Sequence, residues 1–447
     1  MLQSAMRSFT FVHAADLHLG APFKGLDATA SEVFPLPEAS FTALAGLEAL
    51  CLERNAAFLI LSGDVYDDAD GVLRARFALR DTFARLEKAG VRVFFAHGNH
   101  DPYKPGKLPV TWPDNVTVFS PEVSCERVVC EGETIALVQG VSHASNAETA
   151  NLSTKFTAWR PGVSGPPFAA LSEEDVANIL PDVFQIAVLH CAVGGAGEGH
   201  APYAPCALTD LTEAGFDYWA LGHIHQGGVL SAKPLVVYPG SLQGLHVNET
   251  GARGATVVTV TEGEARAELV PLAPVIWRKV VADVSGLETV DDLESAIIAA
   301  LDADMAAITQ DTPCAQAVFC RVILRGRTDL DPLLQRRADI TTLLDRVRAE
   351  FSGLLPVWIK DIVAATQPPR DTAALRERSD LVGEVSRIAA DTAAVSDIIG
   401  AALSPLQNSQ KLKKTLASSE LFIMHDENAA QFAESAKSLL ISLLEDE

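Results

Sequence analysis

No run of about 18 uncharged apolar residues occurs in the 447-residue chain, so no membrane-spanning helix is expected. Cysteine is thin: seven residues, at 51, 125, 130, 191, 206, 314 and 320, an odd number with no C-x-x-C pair. That excludes a zinc ribbon and a disulfide framework, and it predicts a reduced, cytoplasmic chain. Basic residues are scarce too, with 35 Lys and Arg against 58 Asp and Glu, a formal charge of −23. Acidic surface repels phosphate, and affinity for DNA rests largely on Lys and Arg displacing counterions. Three explanations stay open: bound cations neutralise part of the acid, a partner carries the basic surface, or the surface is simply solvated. No internal repeat is present. The opening "MLQSAMRSFTFVHAADLHLG" has one Arg and no long apolar stretch, so it reads as the lead-in to a strand rather than a signal peptide.

The length predicts two or three domains. Over the first 270 or so residues, short apolar runs alternate with helical stretches. "FTFVHAAD", "AAFLILSGD" and "VRVFFAHGNHD" read as strands, with "EASFTALAGLEALCLERN" and "RARFALRDTFARLEKAG" as the helices between them, the second closed by Gly90. This β-α-β-α-β order predicts an α/β layered core with largely parallel strands. "ERVVCEGETIALVQG" reads as a hairpin turning at Glu131-Gly132, and "GGVLSAKPLVVYPGS" and "GATVVTVTEGEARAELVPL" read as two more. "QIAVLHC" and "DYWALGHIH" are buried strands, and the Pro/Gly/Ser-rich stretch 151–170 is expected to be a long loop. From 276 the pattern restarts as strand, helix, strand, helix, strand up to Pro368-Pro369, which predicts a small α+β domain. Residues 369–447 are helical in composition. Leu375, Val382, Val385, Ile388, Val395 and Ile399 fall near one face, as do Phe432, Ala436, Leu439 and Leu443. The expected domains are therefore 1–275, 276–368 and 369–447.

Several predicted strands of the first domain run into ligand-type residues. These are Asp16 and His18 in "AADLHLG", Asp64 and Asp67 in "LSGDVYD", and Asn99 and His100 in "AHGNHD", followed by His190 in "AVLHC" and His223 and His225 in "ALGHIH". In open α/β sheets, ligands bind at the carboxyl ends of strands. Asp16/His18 and His223/His225 are each two apart, so on extended backbone each pair shares a face and clamps one cation. Imidazole, carboxylate and amide together suit Mn²⁺, Fe²⁺ or Zn²⁺. A carboxylate between two cations bridges them, and two ions about 4 Å apart suit in-line attack on phosphate. A lone histidine at a strand end is more often structural, but five such segments together are not explained that way. Gly63, Gly98 and Gly222 each precede a ligand residue, as a sharply turning chain beneath metals requires.

In order, "ADLHLG", "GDVYD", "GNHD", His190 and "GHIH" resemble the metal motifs of the calcineurin-like metallophosphoesterase superfamily. "HAADLHLGAPF", "APYAPCALTDL", "GFDYWALGHIHQ" and "YPGSLQGLHVNETGARGA" bring the chain nearer the SbcD/YhaO-type DNA repair exonucleases. The resemblance is specific over roughly residues 9–265 and architectural beyond. It implies a four-layer α-β-β-α metallophosphoesterase core with a small α+β capping domain and a helical C-terminal tail. It also implies two divalent metal ions, Mn²⁺ foremost. One metal would be held by Asp16, His18, Asp64 and His225, the other by Asp64, Asn99, His190 and His223, with Asp64 as bridge. His100 would contact the phosphate and protonate the leaving oxygen. Asp67 stands where some relatives carry a second histidine. It is expected to accept a hydrogen bond from His100 and fix its tautomer, so that Asp67→Ala costs rate and spares the metals. Asp101 is expected to brace its loop through backbone hydrogen bonds.

The resemblance implies a metal-dependent phosphodiesterase, a nuclease acting on DNA as an exonuclease in repair or related processing. The partners it implies are DNA, a coiled-coil ATPase of the SbcC/YhaN kind docking on the tail, and a second copy of the chain; no membrane is expected. Two other readings stand beside it: a small-molecule phosphodiesterase, and a regulatory subunit that anchors the ATPase. Lys104 and Lys107 either guide a phosphodiester or are solvated loop lysines. His200 either touches substrate or supports its loop. His13 and His97 read as core residues or as supports behind the ligands, and the resemblance places His246 near the rim of the second metal.

Overall fold

The computed structural model describes residues 8–26, 30–67, 72–104, 110–163, 167–194, 202–369, 372–379, 383–384 and 387. Lys107, His200 and nearly all of the 369–447 tail lie outside them. No helix among the described residues is long and apolar enough to cross a membrane.

The first sheet begins with β1 (Phe9–Ala14). A short helix α1 (Ala30–Val33) and the longer α2 (Ala39–Glu53) lead to β2 (Phe58–Ser62), and α3 (Val72–Lys88) leads to β3 (Arg92–Ala96) and β4 (Val116–Val118). β1 to β4 pair in parallel. The second sheet holds β5 (Ser124–Cys130), β6 (Glu133–Gly140), β7 (Phe184–His190), β8 (Tyr218–Gly222), β9 (Gly228–Ala232) and β10 (Leu235–Tyr238). Short helices α4 (Glu173–Ala177) and α5 (Leu208–Thr212) lie between its strands in sequence. β6, β7, β8 and β10 are parallel neighbours. The hairpin β11 (Gly254–Thr261) and β12 (Glu264–Pro271) returns to the first sheet, giving the orders β12-β11-β1-β2-β3-β4 and β5-β6-β7-β8-β10-β9.

Strand alternation explains the layering. Phe11, Phe58, Ile60 and Phe94 of the first sheet meet Phe184, Ile186, Val188 and Tyr218 of the second in one buried cluster. The opposite faces of the same strands, through Val12, Leu59, Leu61 and Phe95, pack on Leu44, Leu47, Leu79 and Phe83 of α2 and α3. Trp219, Leu189 and Leu221 cover the far side of the second sheet with Leu152 and Phe156. The three predicted hairpins form as read. Glu131-Gly132 and Glu262-Gly263 turn through positive φ. The described residues of 151–170 form a loop, as expected, but one that is partly buried. It contains 3₁₀ turns at Leu152–Lys155 and Phe168–Ala170 and buries Leu152, Phe156, Trp159 and Phe168. Its aromatics are the outer layer of the second sheet; Pro and Gly mark its turns, but burial was not legible in them.

The later segment comprises β13 (Val275–Asp283), α6 (Val290–Asp311), β14 (Ala317–Arg327), α7 (Asp331–Leu334), α8 (Arg337–Glu350) and β15 (Val357–Gln367). Its three strands lie in the order β13-β14-β15, with β13 and β14 parallel. Residues Met1–Gly326 and Pro332–Thr366 make one compact unit. Within it, Trp277 and Phe319 pack on Phe34, Ala39 and Val247, and Trp277 Nε1 donates to Gly244 O at 2.9 Å. Arg327–Asp331 and Gln367–Glu447 make a second unit. There Thr328 N donates to Gln367 O at 3.0 Å, and helix α9 (Thr372–Glu377) follows.

Candidate metal centre

The carboxyl ends of β1, β2, β3, β7 and β8 converge, and every residue expected at the site comes with them. Asp16, His18, Asp64, Asn99, His190 and His223 are buried, and His225 is half-buried. Asp16, His18 and His225 bring one ligand atom each within 4.8 Å of one another, and so do Asp16, Asp64 and His190. His223 lies against His190, ring centroids 5.3 Å apart, while His225 lies against His18 at 5.1 Å. The two histidines of "GHIH" therefore serve opposite sides of the centre, contrary to the reading that each pair clamps a single cation.

The strand-pleat reason for the pairs also fails. β1 stops at Ala14 and β8 at Gly222. Asp16 (φ 49°), His18 (φ 42°), Asp64 (φ 51°) and His223 (φ 103°) are all on left-handed backbone. Such conformations cost of order 1–3 kcal/mol each and persist where surrounding structure over-determines them. Here Asp16 N donates to Gly63 O at 3.0 Å and His18 N to Asp64 O at 3.1 Å, while the His223 N–H is held by both Asp16 oxygens at 3.0 and 3.2 Å.

The hydrogen-bond network assigns the imidazole tautomers and so the donor set. His18 Nδ1 donates to Asp67 Oδ1 at 2.8 Å, and His225 Nδ1 to Glu249 Oε1 at 2.8 Å. Their Nε2 lone pairs then face each other at 3.2 Å. His190 Nδ1 donates to Ser62 O at 2.9 Å, which aims its Nε2 lone pair at Asn99 Oδ1 (3.1 Å) and Asp64 Oδ2 (3.3 Å). Acceptor against acceptor is repulsive unless a cation or a proton sits among the atoms. Buried, convergent, borderline-hard donors of this kind fit two divalent ions. The further trio His18, Asp67 and His100 is a different arrangement. There two imidazole Nδ1 atoms point at one Asp67 oxygen, so it is a hydrogen-bonded pair rather than a third ligand set.

Protons fill the centre when metal does not. Burial pulls the His18 pKa down, but the hydrogen bond to Asp67 and the charges of Asp64, Asp67 and Asp16 outweigh it and lift it to about 9. Burial likewise opposes, and Asp64 and Asp16 overcome, for His190, also at about 9. Asp64 is buried, yet His190, His18 and His100 hold its carboxyl far below the usual range. Burial dominates at Asp16 and pushes its carboxyl up. Metal uptake must displace the two imidazole protons. At pH 7 it should release about two protons, and affinity should rise about tenfold per pH unit for each proton displaced, up to about pH 9. The sign reverses for the metal-free chain: both pKa values lie above 6.5, so their stabilisation is complete below pH 6.5 and is lost as pH climbs through 9. Calorimetry of Mn²⁺ binding in two buffers of different ionisation enthalpy measures the release; a value near zero contradicts the proton-filled centre.

The glycines have two different jobs. Gly63 has φ 96°, as a sharp turn requires, and a Cβ there would also lie 2.3 Å from His190 Nδ1. Gly98 and Gly222 are needed for space alone. A Cβ on Gly98 would lie 2.2 Å from Asp64 Oδ1, and one on Gly222 would lie 2.0 Å from Ser62 O and 2.8 Å from His190 Nδ1. Asp101 braces the same corner, accepting N–H bonds from Gly98 (2.7 Å) and Asp64 (3.2 Å) on one oxygen and from Val65 (3.1 Å) on the other.

Asp67 does more than the sequence suggested. Its Oδ1 is 3.1 Å from His100 Nδ1 and also takes the His18 bond. His100 stands at the edge of the centre, its side chain 49% exposed and its ring 4.8 Å from that of His18. Glu249 was not anticipated: it lies 24 residues from His225, with no motif spacing to betray it, and His225 and Leu245 N hold it ionised with a pKa of about 2 although burial opposes. Asp67→Ala is now expected to lower turnover and also to weaken metal binding at His18 about tenfold, whereas Glu249→Ala weakens binding alone. Metal content after dialysis against a weak chelator, measured beside turnover, separates the two. Full metal content in Asp67→Ala would restore the single role.

The remaining candidates take quieter places. His13 is buried, bonded to Tyr218 OH (2.9 Å) and Ser62 Oγ (2.8 Å), and burial lowers its pKa to about 3. His97 is buried beside Asp101, Nδ1 to Oδ2 3.6 Å. His246 Nδ1 accepts Asn248 N at 3.2 Å in a local turn. Lys104 is exposed in the loop after His100. His143, unremarked in the sequence, donates through Nε2 to His190 O at 2.7 Å and steadies that ligand from behind.

The family pattern of calcineurin-like phosphoesterases matches residues 9–227, and that of the middle domain of metallophosphoesterase YhaO matches residues 277–367. The uncharacterized metallophosphoesterase YhaO of Bacillus subtilis (strain 168) is 35% identical over 283 residues, 63% of this chain and 64% of that protein. The chain thus aligns with less than two thirds of that relative's length. Among solved structures, a dimetal phosphatase from Danio rerio is 14% identical with a TM-score of 0.34, covering 59% of this chain and 99% of that one. The calcineurin-like phosphoesterase YfkN from Bacillus subtilis is 12% identical with a TM-score of 0.33, covering 59% and 91%.

Proposed function

Residues 9–227 are a calcineurin-like phosphoesterase domain, followed by a YhaO-type middle domain, and from that premise we propose that the chain is a two-metal phosphodiesterase that hydrolyses DNA, as an exonuclease in repair or related processing. The family makes it a metal-dependent hydrolase. The observation that carries the mechanism is the convergence of the His18, His225 and His190 Nε2 lone pairs on the Asp16 and Asp64 carboxylates, with His100 open at the edge. Asp16, His18, Asp64 and His225 would hold one ion and Asp64, Asn99, His190 and His223 the other, Mn²⁺ in this reading. Two such ions supply Lewis-acid charge to phosphate oxygens and lower the pKa of water. The chain's own residues do the rest. Asp67 takes the His100 Nδ1–H at 3.1 Å, so the imidazolium form of His100 carries its second proton on Nε2; it gives that proton to the departing oxygen and is left as the neutral Nδ1–H imidazole. Glu249 and Asp67 hold the ligand rings in register.

DNA is favoured over smaller esters by the sequence resemblance to SbcD/YhaO-type nucleases and by the middle domain behind the centre. The charge of −23 favours the second reading, a small phosphodiester. The full chain, loaded with Mn²⁺, is incubated with labelled single- and double-stranded DNA and with bis(p-nitrophenyl) phosphate, beside His100→Ala. DNA cleavage lost in the variant supports the proposal; turnover of the small ester alone replaces it with the second reading; no turnover leaves a regulatory role. The free cysteines fit a reducing, cytoplasmic setting. The proposed partners are a second copy and a coiled-coil ATPase of the SbcC/YhaN kind. Light scattering of the chain alone and mixed with such an ATPase tests both, an unchanged monomer mass removing them.

A further inference from the structure

His225 lies past the end of β8 at Gly222, where no strand ladder fixes its main chain. Its carbonyl oxygen is held instead by two donors. Ser241 N donates to it at 3.0 Å, and so does Nη1 of Arg253, 28 residues on in the chain. The other terminal nitrogen of Arg253, Nη2, donates to Gln226 Oε1 at 3.0 Å and to Thr250 O at 3.0 Å. One guanidinium thus ties together the ligand's own carbonyl, the side chain after it, and the turn that carries Glu249.

Arg253 is only 3% exposed, and its Nε has no partner among the described residues. Its carbonyl accepts Leu272 N at 2.8 Å and Ala273 N at 3.1 Å, so its own main chain is anchored. A buried cation is costly, and one beside a metal centre also repels the ions that the centre takes up. A neutral side chain would fill the space at less cost. Arginine offers in return a planar fork of donors at fixed angles, which no neutral side chain can match. Against burial, His225, Leu245 N and Arg253 together hold Glu249 ionised. Glu249 Oε1 then takes the His225 Nδ1–H at 2.8 Å. Glu249 sets the rotation of the ring, and Arg253 sets the peptide from which the ring hangs.

We propose that Arg253 is a positioning residue for the metal ion at His18 and His225: by clamping the His225 carbonyl it fixes where the imidazole Nε2 points. Arg253 touches neither the ion nor substrate and acts only through His225. The proposal rests on His225 being a ligand, as in the phosphoesterase reading above, and it holds whether the centre takes one ion or two.

The test is a double-mutant cycle on the full chain, read as Mn²⁺ affinity by calorimetry. Arg253→Met removes the donors and keeps an unbranched side chain. It should weaken the ion at His225 about tenfold and leave the ion at His190 and Asn99 as in wild type. In a His225→Ala background the same substitution should cost nothing further, because the ring it aims is gone. A purely structural role would cost the same in both backgrounds. An equal further loss with His225→Ala therefore overturns the proposal. So does unchanged affinity in Arg253→Met, equal weakening of both ions, or wild-type affinity in His225→Ala alone. If Arg253→Met melts below the assay temperature, Arg253→Gln takes its place in the cycle with the same expected loss. Its amide stops two bonds short of Nη1. DNA cleavage is scored separately on the same samples. Uncut DNA, or a single Mn²⁺ in wild type, would remove the nuclease or the two-ion reading and leave the cycle to decide Arg253.

Discussion

Asp64→Asn should empty the metal centre and lower turnover about a thousandfold. Asp64 is 2% exposed, and one oxygen is 3.3 Å from His190 Nε2 and 4.0 Å from His18 Nε2. The other accepts the His100 N–H at 2.8 Å. With Asp16 it is one of two carboxylates that face both sides of the centre. Asparagine keeps the shape and the His100 bond but removes the charge. Its NH₂ can donate to the two imidazole lone pairs, which relieves the acceptor crowding that otherwise calls for a cation. Loss of several kcal/mol of charge stabilisation corresponds to about three decades in rate at 1.36 kcal/mol each. Metal analysis, turnover and a melt in chelator are read together. Full metal content at near-wild-type rate would show that Asp64 does not bridge. A collapsed melt in chelator would show that its charge is needed for the fold itself.

Gly98→Ala should cost about a hundredfold in activity for one methyl group. The new Cβ would lie 2.2 Å from Asp64 Oδ1 and 2.8 Å from Asp64 N, and neither can yield freely. Asp64 N is tied to Asp101, as is Gly98 N. Relief requires the bridging carboxylate to move by about 1 Å, a displacement that costs on the order of 10²-fold in a reaction that depends on alignment. Overpacking adds about 1–3 kcal/mol of destabilisation. Gly90→Ala is the control. Gly90 closes α3 at φ 77° with nothing within 4 Å of its absent Cβ, so its substitution should cost about 1 kcal/mol of stability and no activity. If both variants lose stability alone, the crowding at Gly98 is absorbed elsewhere and the argument fails.

Much of the centre was written locally. Apolar strands ending in Asp16, Asp64, Asn99, His190 and His223 could be read because strand pattern and ligand chemistry lie side by side in the chain, and the hairpins could be read from Glu131-Gly132 and Glu262-Gly263 for the same reason. Stretch 151–170 could be read as a loop but not as a buried one, because Pro and Gly announce turns whether or not Trp159 and Phe168 between them are buried. The site's chemistry was legible as a set of residues; its arrangement was not.

Sequence alone determined which side chains could ligate metal and that they stand where strands stop. Tertiary structure decided that His223 and His225 face opposite ways, that one Asp67 oxygen serves both His18 and His100, that Glu249 holds His225, and that Gly98 is glycine for want of space. The physical reason is one of range. Residue type, turn preference and periodicity act over a few positions. Tautomers, acceptor crowding and the room for a methyl group depend on atoms as far apart in the chain as His18 and His225, which meet at 3.2 Å only once both sheets have folded.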